Sequence, residues 1–204
     1  MQNSKLQVIR QSSFTATPWK NGGGITHEAV RFPPGGDPFR WRVSVARIDA
    51  SGPFSEFADY NRKMVLLKGA GADLRFADGT HKTLRKAGEL IEFDGALAAH
   101  CDLLSGPCVD LNLMVLKSDS VTVRVERFIE SIALSASRHE TILVFPIDRK
   151  ITVQITAGKP VTLEPWDLAV MSQCAGRISR LESVKSSVST SVFLATLKLA
   201  AQNL

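Results

Sequence analysis

The sequence predicts an all-β protein, a sandwich or barrel of many short strands. Three observations carry this. Apolar and polar residues alternate with a period of two along most of the chain, as in strands that bury one face. Turn formers fill the gaps, in "PPGGDP", "ASGP", "ADGT" and "TAGKP"; Gly and Pro supply the backbone angles that turns need. Helical periodicity is nearly absent. Many short strands separated by Gly and Pro turns define the sandwich and barrel classes.

In chain order, "ITHEAVRF" (25–32) reads as the first strand, directly after the glycines of "TPWKNGGGITHE". "WRVSVARI" (41–48), "RKMVLLKG" (62–69), "ADLRFA" (72–77), "ELIEF" (89–93) and "DLNLMVLK" (110–117) follow, rich in the branched residues that suit a pleated surface. "VTVRVERF" (121–128) alternates cleanly, and "SIALSAS" (131–137) is assigned a short helical piece. "ETILVFPI" (140–147), "KITVQI" (150–155), "DLAVMS" (167–172) and "SVFLATLKL" (191–199) complete the strands. Residues 175–190 are Ser-rich and weakly patterned.

The composition, with 44% hydrophobic and 22% charged residues over 204 positions, is that of a globular chain with a sizeable core. No apolar run approaches the roughly 18 residues of a membrane span, and the N-terminus has no apolar signal core. The three cysteines form no CxxC pair and suit a reducing cytoplasm, so a cytoplasmic location is expected. The net charge of +5 raises nucleic acid as a partner, but the 25 Lys and Arg are scattered. There is no basic helix and no aromatic stacking platform, which argues against it.

A weak internal repeat sharpens the fold. Residues 64–95 run as two short strands, a turn, and a Gly-Glu step into another strand; residues 141–172 follow the same order with Trp-Asp at the step. That order resembles the conserved core of a cupin barrel. It predicts an RmlC-like jelly roll built as a bicupin, with halves of about 1–117 and 118–204 closely packed as one domain. Cupin-type sandwiches often pair through edge strands, so a homodimer follows by analogy.

The usual cupin chemistry is not visible. The four histidines, His27, His81, His100 and His139, show no HxH, HxxxH or HExxH spacing. The slot for a first metal motif reads "FSEFADYNRKM" and holds no His. No metal and no cofactor are expected. The glycine stretch fails as a Walker A loop, because its Lys precedes the glycines. It fails as a dinucleotide fingerprint, because a strand follows it. An anion-binding backbone nest or a tight turn are the readings left.

Polar groups instead gather on strand faces, since side chains two apart point the same way. One face of 41–48 reads Arg42, Ser44, Ala46, Ile48; one of 62–69 begins Arg62, Met64, Leu66; one of 110–117 reads Asp110, Asn112, Met114, Leu116. Each begins polar and becomes apolar, as a pocket with a polar portion and an apolar floor would. Arg42 and Arg62 could clamp a carboxylate, while Asp110 and Asn112 read a ligand's donor groups. The competing reading is an Arg–Asp pair satisfying itself inside the sandwich. Trp19 and Trp41 read as packing residues, and His100 and Cys101 as core or rim groups.

Taken together, "PWKNGGGITHE", "FRWRVSVARI", "SGPFSEFADYNRKMVLLKG", "IEFDG" and "GPCVDLNLMV" resemble the successive motifs of the HutD/Ves family of bacterial cupin-like proteins. The segment after Glu28, "AVRF", is less aliphatic than is usual for that family. The resemblance implies a bicupin and a link to bacterial histidine utilisation, in regulation or the binding of pathway intermediates. It places Lys20, Asn21, Thr26, Glu28, Arg42, Ser44, Arg62, Asp110 and Asn112 within the family pattern. The expectation is a protein that binds a small anionic metabolite through these nine residues. The alternative is a metal-independent isomerase, epimerase or hydrolase acting on a small carboxylate, with Lys20, Glu28 or Asp110 as acid or base.

Overall fold

The computed structural model describes residues 5–156, 158–180 and 189–200. Apart from a single 3-10 turn, Gln11–Ser13, every element among them is a strand, and no helix is long and apolar enough to cross a membrane. The strands are β1 (Lys5–Ile9), β2 (Thr15–Pro18), β3 (Gly24–Phe32), β4 (Trp41–Ile48), β5 (Gly52–Pro53), β6 (Tyr60–Lys68), β7 (Ala72–Phe76), β8 (His81–Leu84), β9 (Leu90–Asp94), β10 (Ala99–Leu103) and β11 (Cys108–Leu116). They continue as β12 (Ser120–Phe128), β13 (Ser131–Ser135), β14 (Glu140–Pro146), β15 (Ile151–Ile155), β16 (Val161–Leu163), β17 (Leu168–Ser172), β18 (Ala175–Arg180) and β19 (Thr190–Lys198).

The chain divides into two compact units, one of Met1–Ser13 with Asp119–Leu204 and one of Phe14–Ser118. In the first, a five-stranded sheet ordered β1-β17-β14-β19-β12 carries Val144, Ala169, Met171 and Leu194. These pack with Ile151, Val153, Leu163 and Ile178 from a four-stranded sheet ordered β13-β18-β15-β16. Each of these Val, Leu, Ile and Met side chains contributes about 1.5–3 kcal/mol on burial. Strand β1 pairs with β17 over Lys5–Ile9, so this N-terminal strand completes the sheet of the unit that holds Asp119–Leu204.

The second unit is built alike. Its six-stranded sheet runs β2-β3-β4-β11-β6-β9 and its four-stranded sheet β5-β10-β7-β8. Ile48, Met64 and Leu66 of the larger sheet pack with Leu74, Phe76, Leu84 and Cys101 of the smaller. A separate small cluster joins Phe39, Tyr60 and Met114.

The internal repeat is a repeat of topology. In 64–95 the outer strands pair, β6 with β9, and the inner strands pair, β7 with β8; in 141–172 β14 pairs with β17 and β15 with β16. The dipeptide step is equivalent too. Gly88 stands at φ +88° and Trp166 at φ 70°, the left-handed region that costs a non-glycine residue about 1–2 kcal/mol. The acid that follows caps the turn in both: Glu89 accepts from the Arg85 N–H at 2.6 Å, and Asp167 from the Glu164 N–H at 3.0 Å.

The helical assignment at 131–137 is overturned. Ser131–Ser135 is strand β13, paired along its length with β18. Ile132 and Leu134 face inward while Ser131, Ala133 and Ser135 are exposed, a period of two in a stretch too rich in Ala and Ser to show its contrast. Strand β18 occupies the start of the weakly patterned 175–190 stretch, and residues 181–188 lie outside the described residues.

Candidate ligand pocket

The glycine stretch folds into the tight turn between β2 and β3. The Trp19 N–H donates to the Gly24 carbonyl at 2.9 Å and the Gly22 N–H to the Trp19 carbonyl at 3.0 Å. The Asn21 side-chain oxygen accepts from the Gly23 N–H at 3.0 Å. These amides are therefore spent on the turn, and the nest reading has no donors left to offer at Gly22 and Gly23. At Gly24 a Cβ would fall 2.4 Å from the Arg47 carbonyl oxygen and 3.2 Å from the Trp19 ring, so only glycine admits this approach of β3 to β4 and the indole. The indole is fixed by donating from Nε1 to the Thr26 hydroxyl at 2.8 Å and by an edge contact with Phe54 at 5.7 Å.

Behind this turn lies a cavity of about 590 Å³ within the second unit. All nine residues singled out in the sequence line it: Lys20, Asn21, Thr26, Glu28, Arg42, Ser44, Arg62, Asp110 and Asn112. Strand register explains the convergence. Glu28 stands opposite Ser44, Ser44 opposite Asn112, and Asn112 opposite Met64. One row over, Thr26, Ala46, Asp110 and Leu66 are aligned, and on the other side Arg31, Arg42, Met114 and Arg62. Directly opposed side chains in such rows touch.

The expected common gradient is corrected by that register. Strand β11 runs antiparallel to both β4 and β6, so Asp110 aligns with Ala46 and Leu66, not with Arg42 and Arg62. The polar residues form a patch in the middle of the face, between the cluster that holds Ile48 and the one that holds Met114.

Two arginines dominate the patch. Arg62 is only 8% exposed. It rests against the rings of Phe93 (4.9 Å), Phe54 (5.5 Å) and Phe57 (5.7 Å), and donates a long 3.3 Å bond to the Ser55 carbonyl. Arg42 lies over Phe39 (5.1 Å) and Phe57 (5.3 Å), and its Nη2 contacts the Met114 sulfur at 3.1 Å. Aromatic faces hold a guanidinium without consuming its N–H donors. Burial lowers both arginines' pKa, that of Arg62 to about 10 despite the opposing pull of Asp110.

Asp110 is 3% exposed, and burial raises its pKa from 3.8 to about 7, with Arg62 the charge that holds it down. The Arg–Asp pair that would satisfy itself is not formed: among the described residues neither Arg42 nor Arg62 makes an ion pair with Asp110. The Nε atoms of Arg42 and Arg62 and the Oδ1 of Asn112 are buried without a hydrogen-bond partner. Glu28 is committed instead to Arg31, in a two-bond pair at 2.7 and 2.5 Å that raises the Arg31 pKa.

Arg31, Phe54 and Phe57 line the cavity without having been picked out as binding groups. Phe54 and Phe57 had a signal: an aromatic pair in "FSEFADY", just before the strand that carries Arg62. None of the four histidines lines the cavity. His81, His100 and His139 are exposed, and His27 lies on the opposite face of β3 from Thr26 and Glu28. Among the described residues no three His, Cys, Asp or Glu side chains cluster for a metal.

Two double-sheet units, one enclosing a polar cavity, define a cupin-type protein of two jelly rolls. A solved cupin barrel domain protein from Leptotrichia buccalis superposes with TM-score 0.59 at 11% identity, covering 86% of this chain and 89% of that one, a likeness of fold alone. The chain belongs to the HutD family, whose model matches residues 11–189. It is 35% identical over 159 residues to a 21.2 kDa protein in the hutC 3' region of Pseudomonas putida, covering 78% of this chain and 82% of that protein. The solved structure of the conserved protein PA5104 from Pseudomonas aeruginosa PAO1 matches with TM-score 0.83 and 27% identity, over 97% of this chain and all of that one. HutD from Pseudomonas fluorescens SBW25 matches with TM-score 0.78 and 26% identity, over the same shares.

Proposed function

We propose that the cavity binds a small anionic metabolite through a carboxylate, and that the protein serves the regulation of histidine utilisation as a binding protein. The observation that carries this is the unspent hydrogen-bonding capacity of the patch: Arg42 Nε, Arg62 Nε and Asn112 Oδ1 are buried without partners. Each such group costs about 1–3 kcal/mol when left unmet. A ligand that meets them recovers that cost as affinity. A carboxylate suits the two guanidiniums, and a ligand N–H suits Asn112 Oδ1. The volume lies in the usual range for small-molecule sites, roughly 300–1,000 Å³. The family and the hutC 3' region that holds the Pseudomonas putida relative support the pathway part of this reading.

Calorimetry with urocanate, formiminoglutamate and formylglutamate tests the reading. Saturable heat with at least one, lost in Arg62→Met, is the expected outcome. No heat with any of the three, from folded protein at high concentration, would remove the pathway assignment.

Asp110 favours a second reading. A buried carboxyl titrating at about 7 has the properties of a general acid or base, so a metal-independent isomerase, epimerase or hydrolase would use it, not Glu28, which Arg31 holds. Turnover of a bound carboxylate, abolished in Asp110→Asn with binding retained, would establish that reading over the first.

A further inference from the structure

Asp110 is the one carboxyl of the cavity whose side chain makes no hydrogen bond or ion pair among the described residues, since Glu28 is held by Arg31. Its strand neighbours across the sheet are Ala46 and Leu66, neither of which can donate to it. The charged and titratable groups around it are few. Strand β4 contributes Arg42 and β6 contributes Arg62. Strand β3 contributes Glu28 and Arg31, which hold each other, and Lys20 stands at the mouth. Cys108 on its own strand and Cys101 on β10 are thiols whose pKa burial pushes up to about 12, so they stay neutral. Arg62 is therefore the one charge that keeps Asp110 ionisable near neutrality.

A carboxylate seated on Arg62 removes that support. Its negative charge cancels the field of the guanidinium at Asp110, and burial then acts unopposed on the aspartate. Two carboxylates sharing a dry site do not both stay ionised. We propose that carboxylate binding in this cavity is coupled to the uptake of one proton by Asp110, which donates it in a hydrogen bond to the bound anion. The proton comes from solvent or buffer. No covalent bond is made: the ionised Asp110, the ligand carboxylate and one proton become a neutral carboxyl hydrogen-bonded to a carboxylate. This rests on the binding reading above, and adds which residue sets the proton count.

The linkage has a definite sign. Asp110 binds its proton more tightly in the complex than in the free protein. Affinity is greatest below the free-protein pKa and falls by up to about tenfold per pH unit above it, until the pKa of the complex is passed. Asn at this position presents a permanent N–H donor in place of the protonated acid, so it keeps the hydrogen bond without the proton.

The test is calorimetry of formate and glutarate binding to the full chain at pH 7.5. Tris and triethanolamine serve as buffers, because they differ in ionisation enthalpy and supply no carboxylate. For wild type the heats should differ between buffers by an amount equal to about half to one proton taken up. For Asp110→Asn they should agree, and its affinity should be flat from pH 6.5 to 8.5. Zero uptake, proton release, or the same count in the variant overturns the proposal while leaving binding intact. Absence of heat from both carboxylates overturns the binding reading and this one with it. Carboxyl carbon NMR of wild type gives a check free of the variant: saturating glutarate must move the Asp110 titration upward, and an unmoved or lowered titration counts against the proposal.

Discussion

Arg62 and Asp110 share one cavity, both more than nine-tenths buried, and form no ion pair. Each is a charged group whose desolvation is not repaid by a contact with the other. A protein selected for stability alone would gain by replacing such a pair with apolar residues of similar volume.

Replacement of Arg62 by Met tests that statement. The methionine stem fills the space between Phe54, Phe57 and Phe93, and the desolvation of the guanidinium is relieved. Thermal stability should be unchanged or raised by up to about 2 kcal/mol at pH 6, where Asp110 is largely protonated. Carboxylate affinity should fall at least tenfold. A stability loss above about 3 kcal/mol would mean that the guanidinium is a structural support.

Stability should also depend on pH through Asp110. Its pKa is about 7 in the folded protein against 3.8 for the ordinary group, so the folded state holds this proton more tightly than the unfolded chain. Its contribution is most favourable below pH 4 and is lost as the pH rises through 7. The shift of about 3 units corresponds to a difference on the order of 4 kcal/mol. Asp110→Asn should therefore be about 4 kcal/mol more stable than wild type at pH 8.5, with the gap narrowed to about 1–2 kcal/mol at pH 5. Denaturant titrations of both proteins across that range decide it, and parallel pH profiles would contradict the burial argument.

Glu28 offers a variant that should bind more tightly. Its carboxylate lines the cavity but is neutralised by Arg31 in a pair only 24–29% exposed, worth about 1 kcal/mol to stability. In Glu28→Gln the Arg31 charge is released toward the cavity, so carboxylate affinity should rise about three- to tenfold at low salt, and the gain should shrink as salt is added. A fall in affinity would show that Glu28 itself contacts the ligand.

Residue parity made most of this site legible in the sequence. Arg42 and Ser44, and Asp110 and Asn112, are two apart on strands, so they had to share faces. Strand direction was not legible, because pairing partners in a jelly roll are distant in sequence; hence the supposed common gradient, which antiparallel β11 breaks. Arg31 was missed for a related reason. It stands three residues from Glu28, an odd spacing that puts it on the other face of a regular strand. A register shift between Glu28 and Val30 inserts one residue, restores the parity and sets Arg31 opposite Arg42. The strands β5, β8 and β16, of two to four residues, are too short for alternation to stand out.

The turn that opens the cavity separates two roles that adjacent residues share. Asn21 accepts the Gly23 N–H, so Asn21→Ala should cost about 1 kcal/mol in stability. Lys20 is exposed at the cavity mouth and makes no hydrogen bond or ion pair among the described residues. Lys20→Ala should leave stability within about 0.5 kcal/mol while lowering the association rate for carboxylates about two- to threefold, an effect that salt abolishes. Thermal melts separate the two variants on stability, and stopped-flow binding at low and high salt separates them on rate. Equal stability losses in both would make the whole stretch a structural turn. A salt-sensitive rate loss confined to Lys20→Ala would make it the guiding edge of the pocket.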